Sequence, residues 1–379
     1  MTMTFNELCD KLQLTPVYEQ EAQLKALASW CHNHISQDIR YEGSDAEQYL
    51  QYFSLAVTYL DDFLTSLPHN NAQKIPGIGD ITAIQFAAEN GYDRFIANQS
   101  SIPDNVLDEG DRYGMTPLHK SAIEGYAYTV KALLDKGANP KKTNAQKQYP
   151  VNSALFVPML YEDGLIERKE IIFKDLFASA PDVVNHHDKD GNTVMHQMAA
   201  HEFGALMSWL LGSNPELAFL KNNASLYPVH TAILNQQIAA LNLLLDIDAV
   251  AALGDAEKRV PLHYAARYGT ADIVERCCLA TDDINIRDNA DKTPLLWAAE
   301  AGNQDALDVL MYQGADATLA DYQGYTILHY AVKAGNEPIV RWIVANAPKA
   351  LLNQADSEGH NPLFLAQKAG NTSIAELLK

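Results

Sequence analysis

Apolar residues along the chain recur at the three- and four-residue intervals of amphipathic helices. Two long stretches of this kind cover residues 18–34 and 45–66. After residue 76 the apolar runs become short and come in pairs, and each pair is followed by a stretch rich in Gly, Asn and Asp. The pattern predicts an all-helical chain in which a few long helices precede many short ones.

One ten-residue pattern repeats along the chain from residue 82 onward. Its clearest copies read TPLHKSAIEG, VPLHYAARYG, TPLLWAAEAG and TILHYAVKAG. The nine copies, strong and weak, begin at Thr82, Thr116, Tyr149, Thr193, Tyr227, Val260, Thr293, Thr326 and Asn361. Successive starts are 34, 33, 44, 34, 33, 33, 33 and 35 residues apart. Only the third interval is long, so we expect an insertion near residues 153–170 that lengthens the loop between the helices of that copy.

Each position of the pattern has a structural reason. The leading Thr is suited to cap a helix, because its side-chain oxygen accepts from an unpaired backbone N–H, and Pro fits the first helical turn. The fourth residue, usually His, is expected to tie neighbouring copies together through hydrogen bonds. A Gly then closes the first helix in a left-handed conformation, and it stands at Gly125, Gly269, Gly302 and Gly335. The copy at Tyr149 lacks the His, and two others carry Glu202 and Gln236 where the Gly is expected.

This pattern resembles the ankyrin repeat. The resemblance implies an all-α solenoid of helix-turn-helix units with β-hairpin-like finger loops, in which stacking builds the core. We expect the array at residues 76–379, preceded by an N-terminal helical bundle at residues 1–75 that caps the first unit. The expected units are 76–110, 111–143, 144–187, 188–221, 222–254, 255–287, 288–320, 321–355 and 356–379.

Composition and charge narrow the class of protein. The net charge is −20, from 48 acidic and 28 basic residues, which disfavours a polyanionic partner. Four cysteines (Cys9, Cys31, Cys277 and Cys278) are too few for a disulfide framework in 379 residues, and this favours a reducing compartment. The N-terminus has no basic flank before an apolar run, and no stretch is long and apolar enough to cross a bilayer. We expect a cytoplasmic protein without membrane insertion.

Residues 75–91, IPGIGDITAIQFAAENG, allow two interpretations. Gly and Pro ahead of a capped helix are typical of a hairpin turn that binds nucleic-acid phosphates. That hairpin would need basic neighbours, whereas this segment has Asp80 and Glu89, with Lys74 as its one basic neighbour. The segment also falls on the repeat spacing. We therefore interpret it as the first repeat and expect no nucleic-acid partner.

Motifs for catalysis or metal binding are scarce. The repeated histidines lie on separate copies, so a structural role is favoured over zinc binding. The cluster Cys31-His32-Asn33-His34 offers two ligands on one helical face, and HHDKDGN at 186–192 lacks the spacing and closing Glu of a calcium loop. Phosphate loops and kinase, hydrolase or HExxH signatures are absent. We expect no cofactor and no metal. The alternative is an enzyme whose N-terminal domain uses Cys31 as nucleophile while the repeats select the substrate.

The ankyrin resemblance also implies where a partner binds, namely the concave surface of finger tips and first helices. Carried over position by position, it gives Arg112, Tyr113, Met115, Glu124, Glu257, Arg259, Arg267, Tyr268, Lys292, Glu300, Tyr322, Gln323, Tyr325 and Lys333. Tyr and Arg dominate interface hot spots. Because Tyr322 and Tyr325 are not needed for the core of the repeat, we expect them to be informative.

The function predicted from these features is a non-enzymatic scaffold that binds another protein and is itself monomeric. The uneven copies, the insertion and the N-terminal helices also resemble ankyrin-bearing effectors that intracellular bacteria deliver into host cells. That resemblance implies a host protein as partner and secretion into the host cell by a specialised system.

Overall fold

The computed structural model describes residues 7–8, 56, 59, 82–158 and 163–379. The chain forms two compact units, Met1–Lys189 and Asp190–Lys379, which are described separately below. Every regular element among the described residues is an α-helix or a 3-10 helix, which confirms the all-α prediction. Apart from residues 7–8, 56 and 59, the helical cap predicted at residues 1–75 lies outside the described residues.

The described part of the first unit contains three helix pairs. Its first helices are Ala83–Glu89, Pro117–Glu124 and Pro150–Ala154, and the matching second helices are Asp93–Asn98, Ala127–Asp135 and Leu165–Ser179. Two short elements, the helix Asp104–Leu107 and the 3-10 helix Pro181–Asn185, belong to connections. First helices pack on the first helices of neighbouring pairs, and second helices do the same.

The second unit contains six helix pairs. Its first helices are Val194–Ala200, Pro228–Leu234, Pro261–Tyr268, Pro294–Ala301, Ile327–Lys333 and Pro362–Lys368. Its second helices are Gly204–Ser213, Ile238–Leu245, Ala271–Ala280, Gln304–Tyr312, Glu337–Asn346 and Thr372–Leu377. Three 3-10 helices follow second helices, at Pro215–Phe219, Val250–Ala252 and Lys349–Leu352.

The core of a pair lies between its two helices and those of its neighbours. In the pair that starts at Pro261, Leu262, Ala265 and Ala266 are buried on the first helix, and Ile273 and Val274 are buried on the second. The two adjacent alanines keep the first helix narrow, so that the first helices on either side can approach closely. A single pair could not bury these residues alone, which is why the fold is built by stacking.

The helix starts confirm the capping prediction at Thr82, Thr116 and Thr293. The Thr116 hydroxyl accepts from the His119 backbone N–H at 3.4 Å, and the Thr116 N–H donates to Nδ1 of His119 at 3.2 Å. Because Nδ1 accepts this bond, the proton of the neutral ring sits on Nε2. That nitrogen lies 3.0 Å from the carbonyl oxygen of Gln148 in the next finger and donates to it.

This link between neighbouring copies recurs along the chain, as predicted. The ring Nε2 lies 3.0 to 3.2 Å from a carbonyl of the following finger in the pairs His196–Leu226, His230–Arg259, His263–Lys292 and His329–His360. In the copy that starts at Tyr149, Asn152 replaces the His and keeps the local part of the arrangement, since its Oδ1 accepts from the Tyr149 N–H at 2.9 Å. Burial lowers the pKa of His119 and of His230 to about 4, so these rings are neutral at physiological pH.

The helix ends confirm the glycine prediction at three positions out of four. Gly125, Gly302 and Gly335 have φ angles of 82°, 72° and 66°, in the left-handed region. The prediction is wrong for Gly269, whose φ of −82° and ψ of 159° are extended. Glycine is required there for space, because a Cβ would lie 2.7 Å from the Ala265 carbonyl oxygen. Gln236, where no Gly is present, adopts the left-handed φ of 58° itself.

The insertion predicted near residues 153–170 lengthens more than a loop. The first helix of this copy ends at Ala154, and its second helix, Leu165–Ser179, has 15 residues. Its Lys169 is fully buried, and Nζ donates to the carbonyl oxygens of Ala122 at 3.1 Å and Ile123 at 2.6 Å. This lysine therefore caps the C-terminal end of the helix Pro117–Glu124, whose last carbonyls have no partner within the helix.

Candidate protein-binding surface

Three successive fingers of the second unit each contain a buried aspartate, at Asp255, Asp288 and Asp321. Asp288 shows the common arrangement. Its Oδ1 accepts from the backbone N–H groups of Ala290 at 2.8 Å and Lys292 at 2.9 Å, which fixes the turn at the finger tip. The second oxygen, Oδ2, is left for a side chain of the following first helix.

That side chain is aromatic in all three copies. Oδ2 of the finger aspartate accepts from the Tyr264 hydroxyl at 2.8 Å, from the Trp297 indole N–H at 2.9 Å and from the Tyr330 hydroxyl at 2.5 Å. Each donor lies nine residues after its aspartate. The rings are thus held in fixed positions on the finger side of consecutive first helices.

Cationic side chains lie over these rings at cation–π distance. The Arg267 guanidinium carbon is 4.8 Å from the centre of the Trp297 ring and 5.4 Å from that of Tyr268. The Lys292 ammonium lies between two rings, 4.7 Å from Trp297 and 4.4 Å from Tyr330. Aromatic and cationic residues therefore alternate along this face of the second unit.

Three consecutive first helices of the second unit enclose a cavity of about 250 Å³, which we call the first-helix groove. Its lining residues are Leu234, Arg259, His263, Tyr264, Arg267, Tyr268 and Trp297. They come from the helices Pro228–Leu234, Pro261–Tyr268 and Pro294–Ala301, with Arg259 added from a finger. The lining contains two arginines and no acidic residue. Tyr268 is 48% exposed and Leu234 is 41% exposed, so both remain available to a partner.

Ion pairs behind the groove hold its cations in place. The Arg259 guanidinium lies 2.6 Å from the buried carboxylate of Asp255. Glu300 bridges Arg267 and Lys292, each at 3.1 Å. Burial raises the pKa of Asp255, but hydrogen bonds from Arg259 and Tyr264 outweigh it and lower the pKa overall. The carboxylate that supports Arg259 is therefore ionised at neutral pH.

The residues predicted as partner contacts are divided between the two units. Four of them, Arg112, Tyr113, Met115 and Glu124, belong to the first unit, and ten belong to the second. Arg259, Arg267 and Tyr268 line the groove, and Lys292 and Glu300 contact groove residues. Glu257 is exposed on the same finger as Arg259. The predicted contacts of repeat 255–287 thus converge on the groove.

The next finger carries a second group of predicted contacts. Tyr322 is 66% exposed, and Gln323 is exposed beside it. Tyr325 was expected to be unnecessary for the core of its repeat. Its ring centre instead lies 5.6 Å from that of His329 and 5.8 Å from that of Tyr330. It packs against its own first helix. The Lys333 ammonium lies 4.9 Å from the same Tyr325 ring.

In the first unit, two of the four predicted contacts interact with each other. The Arg112 guanidinium carbon lies 4.7 Å from the Tyr113 ring centre, and Tyr113 is 56% exposed. Met115 is half-buried, with its Sδ 3.3 Å from Nδ2 of Asn144, and Glu124 is exposed at the end of its helix. Arg112 and Tyr113 thus form an exposed cation–π pair in the first unit.

Sequence reasoning missed the aromatic residues that build the groove. Tyr264, Trp297 and Tyr330 occupy the fifth position of the pattern in three consecutive copies, in LHY, LLW and LHY. This regular recurrence is the signal that could have revealed them, together with the finger aspartate that precedes each ring at a constant distance. Neither signal indicates that residues from three different copies converge on one cavity.

Metal binding and cysteine catalysis have no site among the described residues. No group of three His, Cys, Asp or Glu side chains is arranged to hold a metal ion there. Cys31 lies outside the described residues. Cys277 and Cys278 are free cysteines within that part, and burial raises the pKa of both thiols, that of Cys278 to about 11. Both are therefore protonated at neutral pH and unsuited to act as nucleophiles.

The segment at residues 75–91 folds as a repeat from Thr82 onward. The Thr82 hydroxyl accepts from the Gln85 N–H at 3.2 Å and caps the helix Ala83–Glu89. Gly91 has a φ of 69°, in the same left-handed region as Gly125.

No described helix is long and apolar enough to cross a membrane.

Paired short helices, finger turns and histidine links between neighbours define a helical repeat protein. The family model "Ankyrin repeats (3 copies)" matches residues 55–144, 230–321, 262–349 and 310–379, which together are more than half of the chain. The chain therefore belongs to the ankyrin-repeat family. The match begins at residue 55, ahead of the array start predicted at residue 76.

Two kinds of curated protein are similar in sequence to about half of this chain. Human Rabankyrin-5 is 28% identical over 181 residues, which are 47% of this chain and 14% of that protein. Human transient receptor potential cation channel subfamily A member 1 is 25% identical over 192 residues, 48% of this chain and 16% of the channel. The Drosophila melanogaster channel of the same name is 24% identical over 195 residues. The chain thus matches a small part of much longer proteins.

Proposed function

We propose that this chain is a non-enzymatic scaffold that binds a partner protein through the first-helix groove of its second unit. The observation that carries the proposal is that the Arg267 guanidinium lies within cation–π distance of both Trp297 and Tyr268, and that all three residues line one cavity. Trp, Tyr and Arg are the residue types enriched at interface hot spots. Ankyrin repeats generally act by binding proteins, which supports this class of function.

The rigidity of the groove supports the same function. A side chain that is already held in its binding position loses little conformational freedom when a partner arrives. Trp297 is held by its hydrogen bond to Asp288, and Arg267 by its ion pair with Glu300. The groove is therefore preorganised for contact with another molecule.

The test is site-specific photo-crosslinking. A p-benzoylphenylalanine placed at position 268 would face the groove, and the same group at position 312 is the matched control. Tyr312 is a tyrosine of the same unit, 88% exposed at the end of the second helix Gln304–Tyr312. We expect a discrete protein adduct from position 268 that is lost in the Arg267→Met variant. Adducts that are equal from both positions, or indifferent to Arg267, would contradict the groove as the binding site.

The remaining predicted contacts belong to this proposal as secondary sites. Tyr322 and Gln323 would extend the partner contact along the next finger, and Tyr113 with Arg112 would add a contact on the first unit. Alanine substitution of Tyr322 and of Tyr113, one at a time, tests each by its effect on the yield of the crosslink at position 268.

Two finer statements stay predictions. The first is that the partner is a host protein and the chain a secreted effector, which is supported by the uneven copies and the insertion. A reporter fused to the full chain and followed into host cells tests it, and retention in the producing cell would contradict it. The second is that the chain is monomeric, which sedimentation measures directly.

The enzyme alternative rests on Cys31, and full biological effect of a Cys31→Ala variant would remove it.

A further inference from the structure

We propose that the first-helix groove selects an acidic, extended peptide segment, in which an Asp or Glu side chain contacts Arg267 and a neighbouring apolar side chain packs against Leu234. The proposal rests on the function proposed above, and names the chemistry of the partner segment. Three properties of the groove carry it: unused hydrogen-bond donors, a lining of one charge sign, and an apolar rim beside the arginines.

The unused donors belong to Arg267. Its guanidinium carbon lies 4.8 Å from the centre of the Trp297 ring and 5.4 Å from that of the Tyr268 ring. Nη1 donates to Glu300 at 3.1 Å, whereas Nε and Nη2 have no hydrogen-bond acceptor within the part of the chain that the structure describes. A planar guanidinium with a free edge matches the two oxygens of a carboxylate, which it binds with paired parallel hydrogen bonds.

The charge of the lining points to the same ligand. Acidic residues outnumber basic ones by 48 to 28 in the whole chain, yet the groove is lined by Arg259 and Arg267 and by no carboxylate. Its one titratable histidine, His263, is kept neutral, because burial lowers its pKa. Arg259 and Arg267 are each paired with a carboxylate outside the lining, Asp255 at 2.6 Å and Glu300 at 3.1 Å, so the groove offers an anion the free edge of Arg267. At physiological salt, charges more than about 8 Å away are largely screened. The rest of the acidic chain then repels an acidic segment only weakly.

The size and rim of the groove set the remaining features. Sites for drug-sized ligands have volumes of roughly 300–1,000 Å³, and this groove, at about 250 Å³, is smaller. It suits one or two side chains of an extended segment that continues along the face. Leu234 is 41% exposed at the rim and forms the apolar end of the lining. An apolar residue next to the acidic one would cover it.

The experiment uses a phage-displayed library of random 12-residue peptides, selected on the full-length chain. Selections run in parallel on the wild type, on Arg267→Met and on Arg341→Met. Arg341 is the matched control, since it is also an ion-paired arginine of the second unit, bound to Glu337 at 2.6 Å on a second helix. Arg267→Met keeps the bulk of the side chain, and Glu300 keeps its partner Lys292, so the fold should be preserved. Circular dichroism and thermal unfolding check this.

We expect peptides from the wild type to be enriched in Asp or Glu next to Leu, Ile, Val or Phe. By fluorescence polarisation, the best peptide should bind Arg267→Met at least about tenfold more weakly than wild type, and Arg341→Met unchanged. Arg267→Lys should recover only part of the loss, because an ammonium lacks the planar fork. Binding should also quench the fluorescence of Trp297, a change absent in Trp297→Phe.

The outcomes separate this inference from the function on which it rests. Selected peptides that depend on Arg267 but are neutral or basic would overturn the acidic specificity while supporting the groove as a binding site. Peptides that bind wild type and Arg267→Met equally would overturn both. If Arg267→Lys bound the best peptide as tightly as wild type does, the paired recognition of a carboxylate would be overturned.

Discussion

The indole N–H of Trp297 donates a hydrogen bond of 2.9 Å to Oδ2 of Asp288, whose Oδ1 accepts two backbone N–H groups of its own finger. One buried carboxylate therefore joins the finger turn to the first helix that follows it. The same bond forms one repeat earlier between Tyr264 and Asp255, and one repeat later between Tyr330 and Asp321. These bonds position the rings that line or border the first-helix groove.

The last copy lacks this bond, and the lack can be repaired. Oδ1 of Asp356 accepts from the backbone N–H groups of Glu358 and His360, whereas its buried Oδ2 has no hydrogen-bond partner. The residue at the position of the aromatic donor is Leu365, which cannot donate. We expect Leu365→Tyr to raise the free energy of unfolding by about 1 kcal/mol, because a new bond satisfies a buried acceptor.

Urea unfolding followed by circular dichroism measures this gain. Leu365→Phe is the control, since it adds a ring without a hydroxyl. An equal gain from tyrosine and phenylalanine would mean that ring packing, rather than the hydrogen bond, stabilises the copy.

The buried histidines predict a loss of stability in acid. Burial lowers the pKa of His230 from an ordinary value of 6.5 to about 4. Between these values the unfolded chain binds more protons than the folded one, so the free energy of unfolding falls as the pH drops from 6.5 to 4. His230→Asn should flatten this slope, because Asn152 shows that asparagine can keep the local cap without titrating.

The measurement is the free energy of unfolding of wild type and His230→Asn at several pH values. At pH 7.5 the variant should be the less stable protein, since the Arg259 carbonyl loses the bond from the ring Nε2. The difference between the two proteins should shrink toward pH 4. Replacement of the exposed His187 by asparagine should leave the slope unchanged. A constant difference across the range would refute a titrating role for His230.

Lys169 predicts a gain of stability in alkali. Burial lowers its pKa to about 8, although nearby Glu124 counteracts this. The ordinary value is 10.5, so between pH 8 and 10.5 the unfolded chain binds more protons and the stability of the first unit rises with pH. Lys169→Met should remove that rise.

A matched control lies on the same helix, where Lys174→Met replaces an exposed lysine. The free energy of unfolding should increase from pH 8 to pH 10 in wild type and in Lys174→Met. The increase should be smaller in Lys169→Met. The same rise in all three proteins would show that Lys169 stays charged in the folded state.

Ala249 predicts a stabilising substitution. It has a φ of 67°, in the left-handed region that costs an L-residue about 1–2 kcal/mol, and its side chain is exposed. Ala249→Gly should therefore raise the free energy of unfolding by about 0.5 kcal/mol, after the greater flexibility of unfolded glycine is subtracted. Exposed Ala252, which lies three residues later in a 3-10 helix, is the control, and Ala252→Gly should lower stability. Equal effects of the two substitutions would contradict the conformational origin.

Much of the fold could be predicted because its determinants are local in sequence. The Thr116 cap and the His119 link depend on residues three positions apart, and the nearly constant period of the repeat places each link on the next finger. Gly269 was harder, because a glycine required by a close carbonyl looks the same in sequence as one required by a left-handed turn.

The groove could be predicted only in part. Arg259, Arg267 and Tyr268 follow from positions known in the family, but the choice of these residues over Tyr325 depends on packing. Whether a tyrosine is exposed or rests on its own helix is decided by neighbours one repeat away. The convergence of Leu234 and Trp297 with them, across three first helices, required the structure.

The most direct test of the binding proposal is calorimetric titration of the partner captured at position 268 against wild type, Tyr268→Ala and Tyr312→Ala. Both variants remove an exposed tyrosine, and thermal unfolding checks that they stay folded. We predict that Tyr268→Ala weakens binding at least about tenfold while Tyr312→Ala binds like wild type. Wild-type affinity in Tyr268→Ala, or equal losses in both variants, would contradict the first-helix groove as the partner-binding site.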